Sequence, residues 1–250
     1  MRARQRHLNK SLRETACAFD SRFLSGFSDG NGVDTWTDLS ANGRNATQAT
    51  SANRPTYKTA IQGGNPILRF DGSNDTLLTG TFANASEVSA VIVVSAASWD
   101  NPTAYRHCVD HGYGSTTITT TGTALLGLAA NTFLYYRKGY PFAFGNGYND
   151  TNPKATGPAT AGSSFRIMST VLWSTLARIY ENGNRLSTAT EVTGSISSFT
   201  RAFSIGSQTQ PGEYWDGDVA AVIYYTSNIG QPMRVRLERA QALSFKIACS

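Results

Sequence analysis

Residues 203–229, FSIGSQTQPGEYWDGDVAAVIYYTSNI, contain the segment that decides the fold. The stretch predicts a strand, an exposed polar loop and a second strand that ends in a polar turn. Alternate residues of a strand point to opposite faces of its sheet. A strand that is apolar on both faces belongs inside a stack of layers, so we predict a central strand of a β-sandwich. The two predicted apolar sets are Val219, Ala221 and Ile223 on one face and Ala220, Val222 and Tyr224 on the other.

Further segments predict more strands and one helix. Residues 88–97 are rich in Val and Ile and lack helix caps, which favours a buried strand. The Asn182-Gly183 pair predicts a hairpin. Pro232 precedes apolar residues at helical spacing, which predicts a C-terminal helix across one edge or end of the sandwich. The less regular middle of the chain predicts short strands near 116–119, 124–129 and 132–136, and an exposed loop over 149–164.

Composition and charge describe one all-β body with a short basic arm. The chain of 250 residues is long enough to bury a core, and only 16% of its residues are charged. Five basic residues precede the first acid, Glu14, and the remaining basic and acidic residues balance at 17 each. This balance argues against a broad nucleic-acid-binding face. Two interpretations are open for residues 1–16: a solvated arm, or a peg that docks on a partner or on nucleic acid. The five are Arg2, Arg4, Arg6, Lys10 and Arg13.

Cysteine content and hydropathy give limited information about the compartment. Cys17, Cys108 and Cys249 lack metal-ligand spacing, and one disulfide, for example between Cys17 and Cys249, is compatible with the sequence. No stretch approaches the roughly 18 apolar residues of a membrane span. The N-terminus has the positive region of a signal peptide but no apolar segment after it. We therefore expect a protein of a virion or an extracellular surface that does not use an evident N-terminal signal peptide.

Four short motifs follow one another along the chain. They are Trp-x-Asp-x-Ser-x-Asn-Gly at 36–43, Phe-Asp-Gly at 70–72, Tyr-x-Asn-Gly at 180–183 and Gly-x-Val-Ala at 217–220. Their order resembles the laminin-G-like, concanavalin A-like jelly-roll domains of bacterial and phage surface proteins. The resemblance covers about residues 19–247. It implies an antiparallel two-sheet β-sandwich over residues 17–250, and a role in adhesion, carbohydrate binding or a particle surface.

A glycoside hydrolase of the same fold is the enzymatic alternative. Such enzymes need two carboxylates about 5 Å apart. None of the six glutamates has an acidic neighbour two residues away, and Asp216-Gly217-Asp218 is the only acid-x-acid spacing. Because this spacing also matches the structural pattern of the family, we predict no catalytic residues. His107 and His111 have a spacing that could bind a metal on a helix, but the glycines after them favour a loop.

The resemblance implies a calcium ion at the rim of the sandwich. Asp71 and Asp75, together with Asn74, offer the oxygen ligands that calcium prefers, and Asp216 with Asp218 is the alternative set. Asp and Asn also form turns without any ion, so turn chemistry is the competing interpretation.

A sugar site would pair aromatic rings with polar side chains at loop tips, because ring faces pack on the apolar side of a pyranose. For each aromatic candidate, packing in the core or at the rim is the competing interpretation. The candidates in or next to predicted loops are Trp99, Tyr113, Tyr140, Tyr148 and Trp215, with Tyr214 beside the last of them.

Two functions are compatible with these predictions. The first is a non-catalytic module that binds a glycan or a surface polysaccharide through its loops, as a stand-alone lectin-like protein would. The second is a structural or decoration protein of a virus particle, plausibly a phage, in which the basic arm docks the sandwich onto other virion or surface proteins. The two are not exclusive, and either allows a homo-oligomer. The arm and the absence of an evident signal peptide favour the second, whereas the loop aromatics favour the first.

Overall fold

The computed structural model describes residues 15–99, 106–112, 123–128, 141–145, 154–156, 162–173, 176–186, 188–190, 199–208 and 213–250. Within these residues the chain forms strands β1–β17 and a helix, α1. In chain order they are β1 Cys17–Asp20, β2 Thr35–Trp36, β3 Ala46–Thr47, β4 Thr56–Gln62, β5 Asn65–Asp71, β6 Leu77–Ala83, β7 Val88–Ala96, β8 Arg106–His111, β9 Thr123–Leu128, β10 Pro141–Gly145, β11 Lys154–Thr156, β12 Arg166–Trp173, β13 Leu176–Glu181, β14 Asn184–Arg185, β15 Thr188–Thr190, β16 Thr200–Ile205, β17 Asp216–Tyr225 and α1 Gly230–Phe245.

The strands form two antiparallel sheets. The first has the order β14-β13-β12-β7-β17-β5-β4, with β1 also paired to β17, and the second has the order β15-β11-β10-β9-β8-β16-β6-β3-β2. One apolar cluster takes side chains from both sheets, such as Phe70 and Val94 from the first and Phe203 and Leu77 from the second. The sheets therefore pack face to face, which confirms the predicted all-β sandwich.

Strand β17 is the central strand that the sequence predicts, but its residues alternate differently. It pairs with β7 on one side and with β5 and β1 on the other. The register with β7 shifts between Val219 and Ala221, so Ala220 is an extra residue. As a result Val219 lies in the core between the sheets, whereas Ala221 and Ile223 lie on the outer face. The predicted grouping of Val219 with Ala221 and Ile223 is wrong, because the bulge reverses the alternation.

Helix α1 covers the outer face of the first sheet. Leu237 and Phe245 join an apolar cluster with Ile67, Val91 and Ile223 on that face. The sequence predicts this helix correctly but places it across an edge or end of the sandwich. It covers the outer face instead, because β17 and β7 are apolar on that side as well and must be shielded from water.

The other predicted elements have mixed outcomes. The Asn182-Gly183 hairpin is confirmed: both residues have positive φ, 48° and 88°, as a type I′ turn requires. Strand β7 is buried along its whole length, as predicted, and β9 corresponds to the strand predicted near 124–129. The loop predicted over 149–164 contains β11, so that prediction is wrong for residues 154–156. The strands predicted near 116–119 and 132–136, and residues 1–14 of the arm, lie outside the described residues.

All three cysteines lie in the described part of the chain, and all three are free thiols. Cys17 and Cys108 are buried, whereas Cys249 is partly exposed near the C-terminus. The suggested disulfide between Cys17 and Cys249 is therefore not formed. Among the described residues, no helix has both the length and the apolar character needed to cross a membrane.

The Trp-x-Asp-x-Ser-x-Asn-Gly motif anchors the start of β1. Oδ1 of Asp38 accepts hydrogen bonds from the backbone N–H groups of Ala18 at 2.8 Å and Ser40 at 2.9 Å. Its Oδ2 accepts from the Ser40 hydroxyl at 2.7 Å and from the Arg44 N–H at 2.8 Å. Nδ2 of Asn42 donates to the carbonyls of the two residues before β1. The motif is therefore a structural clamp, and it holds the two residues at 15 and 16 that the sequence assigns to the arm.

We expect the Asp38→Ala substitution to destabilise the protein by about 3 kcal/mol or more, because it leaves several buried donors without an acceptor. Urea unfolding followed by tryptophan fluorescence measures the change. The matched control is Asp34→Ala, which removes an exposed carboxylate nearby and should change the stability by less than about 0.5 kcal/mol. Equal effects of the two substitutions would contradict the role of Asp38 as a clamp.

Candidate functional site

Two of the predicted sugar-binding residues lie in the core. Trp99 and Trp215 are fully buried, and their rings contact each other edge to face with centroids 6.0 Å apart. Each indole N–H donates to a backbone carbonyl, that of Ser164 for Trp99 and that of Ser95 for Trp215. Because neither ring presents a face to solvent, the assignment of Trp99 and Trp215 as sugar platforms is corrected: they are packing residues. Tyr113, Tyr140 and Tyr148 lie outside the described residues.

Three segments far apart in sequence meet at one end of the sandwich. They are the turn 71–76 after β5, the start of β8 at 106–107, and residues 213–216 before and at the start of β17. Gly72 N–H donates to the Trp215 carbonyl at 2.9 Å, and His107 N–H donates to the Glu213 carbonyl at 3.4 Å. We call this surface the Arg106 rim. The Arg106 rim brings together the predicted calcium residues and the residues next to Trp215.

The Arg106 guanidinium lies at the centre of the rim. Its Nη1 donates to the carbonyls of Gly72 at 2.6 Å and Tyr214 at 3.1 Å, and its Nη2 lies 3.9 Å from Oδ2 of Asp216. The arginine side chain is 13% exposed, whereas the Asp216 side chain is 44% exposed. A Cβ at Gly72, whose φ is +74°, would lie 2.8 Å from both Arg106 Nη1 and Asp216 Cβ. Glycine is therefore required for this close approach.

Beneath the rim, a buried histidine is held between two carboxylates. His107 Nδ1 lies 2.7 Å from Asp110 Oδ2, and Nε2 lies 2.8 Å from Glu213 Oε2. Burial alone would lower the pKa of His107, but the two carboxylates outweigh it and raise the pKa to about 9. Burial raises the pKa of Asp110 to about 6 although His107 opposes it. Burial alone would raise the pKa of Glu213, but the hydrogen bond and charge of His107, together with a hydrogen bond from Gln208, lower it. At neutral pH His107 is thus a cation with both nitrogens engaged, and it cannot act as a base.

His111 has a different environment although it lies in the same strand. Its Nδ1 is 2.9 Å from the Tyr224 hydroxyl, and its Nε2 is 3.1 Å from the Arg201 carbonyl. Its ring stacks on Phe82 with centroids 4.3 Å apart. Burial lowers the pKa of His111 to about 4, so the ring is neutral at pH 7. His107 and His111 therefore do not form a metal-binding pair.

The turn after β5 explains much of the Asp71 and Asp75 pattern without an ion. Asp71 Oδ1 accepts from the N–H groups of Ser73 at 2.8 Å and Asn74 at 3.2 Å, and Asp75 Oδ2 accepts from the Asp71 N–H at 3.0 Å. Burial and the Asp71 charge raise the pKa of Asp75 to about 6. Asn74 Oδ1 is buried without a hydrogen-bond partner, which fits an oxygen that could bind a cation. Across the described residues, however, no three His, Cys, Asp or Glu side chains converge as a metal cluster would.

The two carboxylates of the acid-x-acid pair have different arginine neighbours. Asp218 receives two hydrogen bonds from Arg69, at 2.7 and 3.0 Å, and is almost fully buried. Asp216 lies beside Arg106 at the rim.

Sequence reasoning missed Arg106 and the contact between His107 and Glu213. The partners of Arg106 lie 34 and 108 residues away in the sequence. A single sequence carries no signal for such pairings. Of the aromatic residues that the sequence suggests, Trp99 and Trp215 are buried, and the assignment of Tyr113, Tyr140 and Tyr148 stays a prediction.

Comparison with known proteins supports the fold. No family model matches the chain, and no curated protein matches it by sequence. The sialidase of Trypanosoma rangeli, solved in complex with sialic acid, matches with a TM-score of 0.59 and 13% identity over 96% of this chain. The binding domain of botulinum neurotoxin serotype D matches with a TM-score of 0.57 and 8% identity over 93% of this chain.

The chain spans only part of these structures, 38% of the sialidase and 52% of the toxin domain. At such identities the similarity establishes a shared fold, in agreement with the two-sheet sandwich. No match assigns the chain to the laminin-G-like family, so that resemblance stays a prediction.

The two histidines predict opposite pH dependences of stability. The pKa of His107 is raised from its unfolded value of about 6.5 to about 9. Its contribution to the free energy of unfolding is therefore full below pH 6.5 and is lost as the pH rises towards 9. The pKa of His111 is lowered to about 4, so stability is lost as the pH falls from 6.5 to 4. In each of these two pH ranges, the free energy of unfolding should change by up to about 1.4 kcal/mol per pH unit.

Urea unfolding between pH 4.5 and pH 9 tests both slopes. We expect His107→Gln to reduce the alkaline slope and His111→Gln to reduce the acidic slope, and each variant serves as the control for the other. An alkaline slope that survives in His107→Gln would show that another group titrates there.

Proposed function

We propose that this protein is a non-catalytic recognition module that binds a glycan at the Arg106 rim. The observation that carries the proposal is the arrangement of polar groups at the end of a rigid sandwich. The Asp71 side chain is exposed, and those of Asp216 and Tyr214 are partly exposed, around the buried Arg106 guanidinium. Carboxylates and a phenol placed in this way can match a set of sugar hydroxyls.

The rim is fixed by contacts that do not involve a ligand. Arg106 ties the turn after β5 to the segment before β17, and His107 ties β8 to Glu213. A surface that is already ordered loses little conformational freedom on binding, which favours affinity. A carbohydrate role is also supported by the similar fold of the sialidase, which was solved in complex with sialic acid.

The pairing of carboxylates with cations supports the non-catalytic part of the proposal. Asp218 is bound to Arg69, Glu213 to His107, and Asp216 lies beside Arg106. Each of these three carboxylates has a cation beside it, whereas glycoside hydrolysis uses one carboxyl group as an acid and a second as nucleophile or base. The turn 71–76 is the part of the rim that would hold calcium, through Asp71, Asn74 and Asp75, and the ion would then order the rim further.

A glycan array tests the proposal, run once with calcium and once with a chelator. We expect binding to a subset of glycans, with at least a tenfold loss of affinity in Asp216→Asn and in Tyr214→Ala. Loss of glycan binding in the chelator would support a calcium ion in the turn 71–76, and Asp75→Asn should then reproduce that loss.

The matched control is Asp34→Asn, which removes an exposed carboxylate outside the three segments of the rim. The proposal fails if the wild-type protein binds no glycan, or if Asp216→Asn and Asp34→Asn behave alike. The Asp216→Asn and Tyr214→Ala variants should unfold at the same urea concentration as the wild type, so that a loss of binding reports on contact and not on folding.

A second candidate function is that of a structural or decoration protein of a virus particle. The observation that favours it is the row of five basic residues before Glu14, followed by a body whose charges balance. A basic arm can dock a rigid domain on an acidic partner surface, including that of another copy.

Sedimentation velocity over a range of concentrations tests the role of the arm in assembly. We expect the full chain to form larger species that are lost when residues 1–14 are deleted. The deletion should stop at residue 14, because Thr15 and Ala16 are held by Asn42. A second variant, with the five basic residues changed to glutamine, separates the effect of the arm's charge on assembly from the effect of its length. Identical sedimentation of all three proteins would count against an assembly role.

A further inference from the structure

Helix α1 presents an unusual surface to solvent. At 100° per residue, Pro232, Arg236, Arg239 and Leu243 fall within an arc of about 60°. All four are exposed, and Leu243 is 76% exposed. The opposite arc is buried against the sheet and contains the ion pair between Arg234 and Glu238 together with Gln241, Leu237 and Phe245. The helix therefore buries polar side chains and exposes an apolar one, which helix packing alone does not explain.

Two other exposed apolar side chains flank the end of the same helix. Phe23 is 61% exposed and Ile61 is 41% exposed. The Arg22 guanidinium lies 5.8 Å from the Phe23 ring and 4.8 Å from the ring of Phe245, the last residue of α1. Next to Ile61, Gln62 Nε2 donates to the Phe245 carbonyl at 2.7 Å. In the described part of the chain, these two residues and Leu243 are the large apolar side chains with high exposure.

The exposed charges of α1 and of the residue after it are cationic: Arg236, Arg239 and Lys246. The one acid of α1, Glu238, is buried and bound to Arg234. Of the acids next to Phe23 and Ile61, Asp20 is buried and bound to Arg22, and the exposed Asp29 is bound to Lys58. The surface is thus both cationic and apolar. We call it the α1 face, and it consists of Phe23, Ile61, Arg236, Arg239, Leu243 and Lys246.

We propose that the α1 face docks on the surface of a membrane that contains anionic lipids. Exposed cations are attracted to anionic headgroups, and apolar side chains beside them enter the boundary between headgroups and acyl chains. The apolar residues come from three separate elements, β4, α1 and the turn after β1, which suits a broad surface better than one narrow peptide. A second copy is disfavoured because two cationic faces repel. The inference does not depend on the proposed glycan site, which lies at the Arg106 rim.

Co-sedimentation with vesicles tests this inference on the full chain. The probes are vesicles of phosphatidylcholine alone and of phosphatidylcholine with phosphatidylglycerol at about 7:3. We expect binding to the anionic vesicles only, and at least a tenfold weaker partition when NaCl is raised from about 0.1 to about 0.5 M. Failure to bind anionic vesicles at the lower salt concentration would overturn the inference.

Variants locate the contact and separate it from the basic arm. Arg236→Glu with Arg239→Glu should weaken the partition at least tenfold, and Leu243→Ser with Phe23→Ser should weaken it about tenfold. The matched control is Arg185→Glu, an exposed cation on β14, which should have little effect. Binding that is unchanged in the Arg236 and Arg239 variant would overturn the inference and assign the attraction to residues 1–14. An equal loss of partition in Arg185→Glu would also overturn the inference, because it would show that net charge, and not the α1 face, attracts the protein to the vesicles.

Discussion

The apolar character of β17 on both faces is the constraint on which the rest of the structure depends. Val219 and Val222 must be covered by the second sheet, and Ala221 and Ile223 by a further layer. The bulge at Ala220 changes which residues face each layer while the strand keeps its pairing with β7. Fully burying a Val or Ile side chain contributes roughly 1.5–3 kcal/mol, so a strand of this composition is unstable with either face exposed. Helix α1 is therefore part of the core and not a peripheral addition.

The same strand fixes the proposed recognition surface. Asp216, the first residue of β17, lies opposite Asp71 of β5, so the ladder itself sets the spacing of two rim carboxylates. Trp215 is buried directly before it and donates to the Ser95 carbonyl of β7, which anchors the segment from below. Trp215, one of the aromatic residues that the sequence suggests as sugar platforms, is thus buried beneath the rim. It holds the backbone that carries the exposed polar groups, and a rigid support of this kind is what a recognition surface needs.

The elements that sequence reasoning predicts well are those with local causes. Strand β7 and the Asn182-Gly183 hairpin follow from apolar runs and turn chemistry within a few residues. The errors concern long-range geometry. The bulge at Ala220 depends on register with β7, and the burial of Trp99 depends on Trp215, which lies far along the chain. The Arg106 rim could not be predicted, because three segments form it and each is ordinary by itself. Asp71 and Asp75 lie at the rim, and their assignment as calcium ligands stays a prediction, because turn chemistry and ion binding use the same side chains.

His107 and His111 illustrate why spacing alone does not define a site. They lie four residues apart in one strand, yet two carboxylates hold the first as a cation, whereas burial among aromatic rings keeps the second neutral although two carbonyls oppose this. The difference follows from the environment of each side chain in the folded protein. His107 lies in a polar cluster beneath the rim, whereas His111 lies in the core beside Tyr224. Neither ring retains a nitrogen suited to proton transfer, since the first binds a carboxylate on each nitrogen and the second is buried. Ionisable groups placed in this way hold β8 and the segment before β17 together beneath the rim.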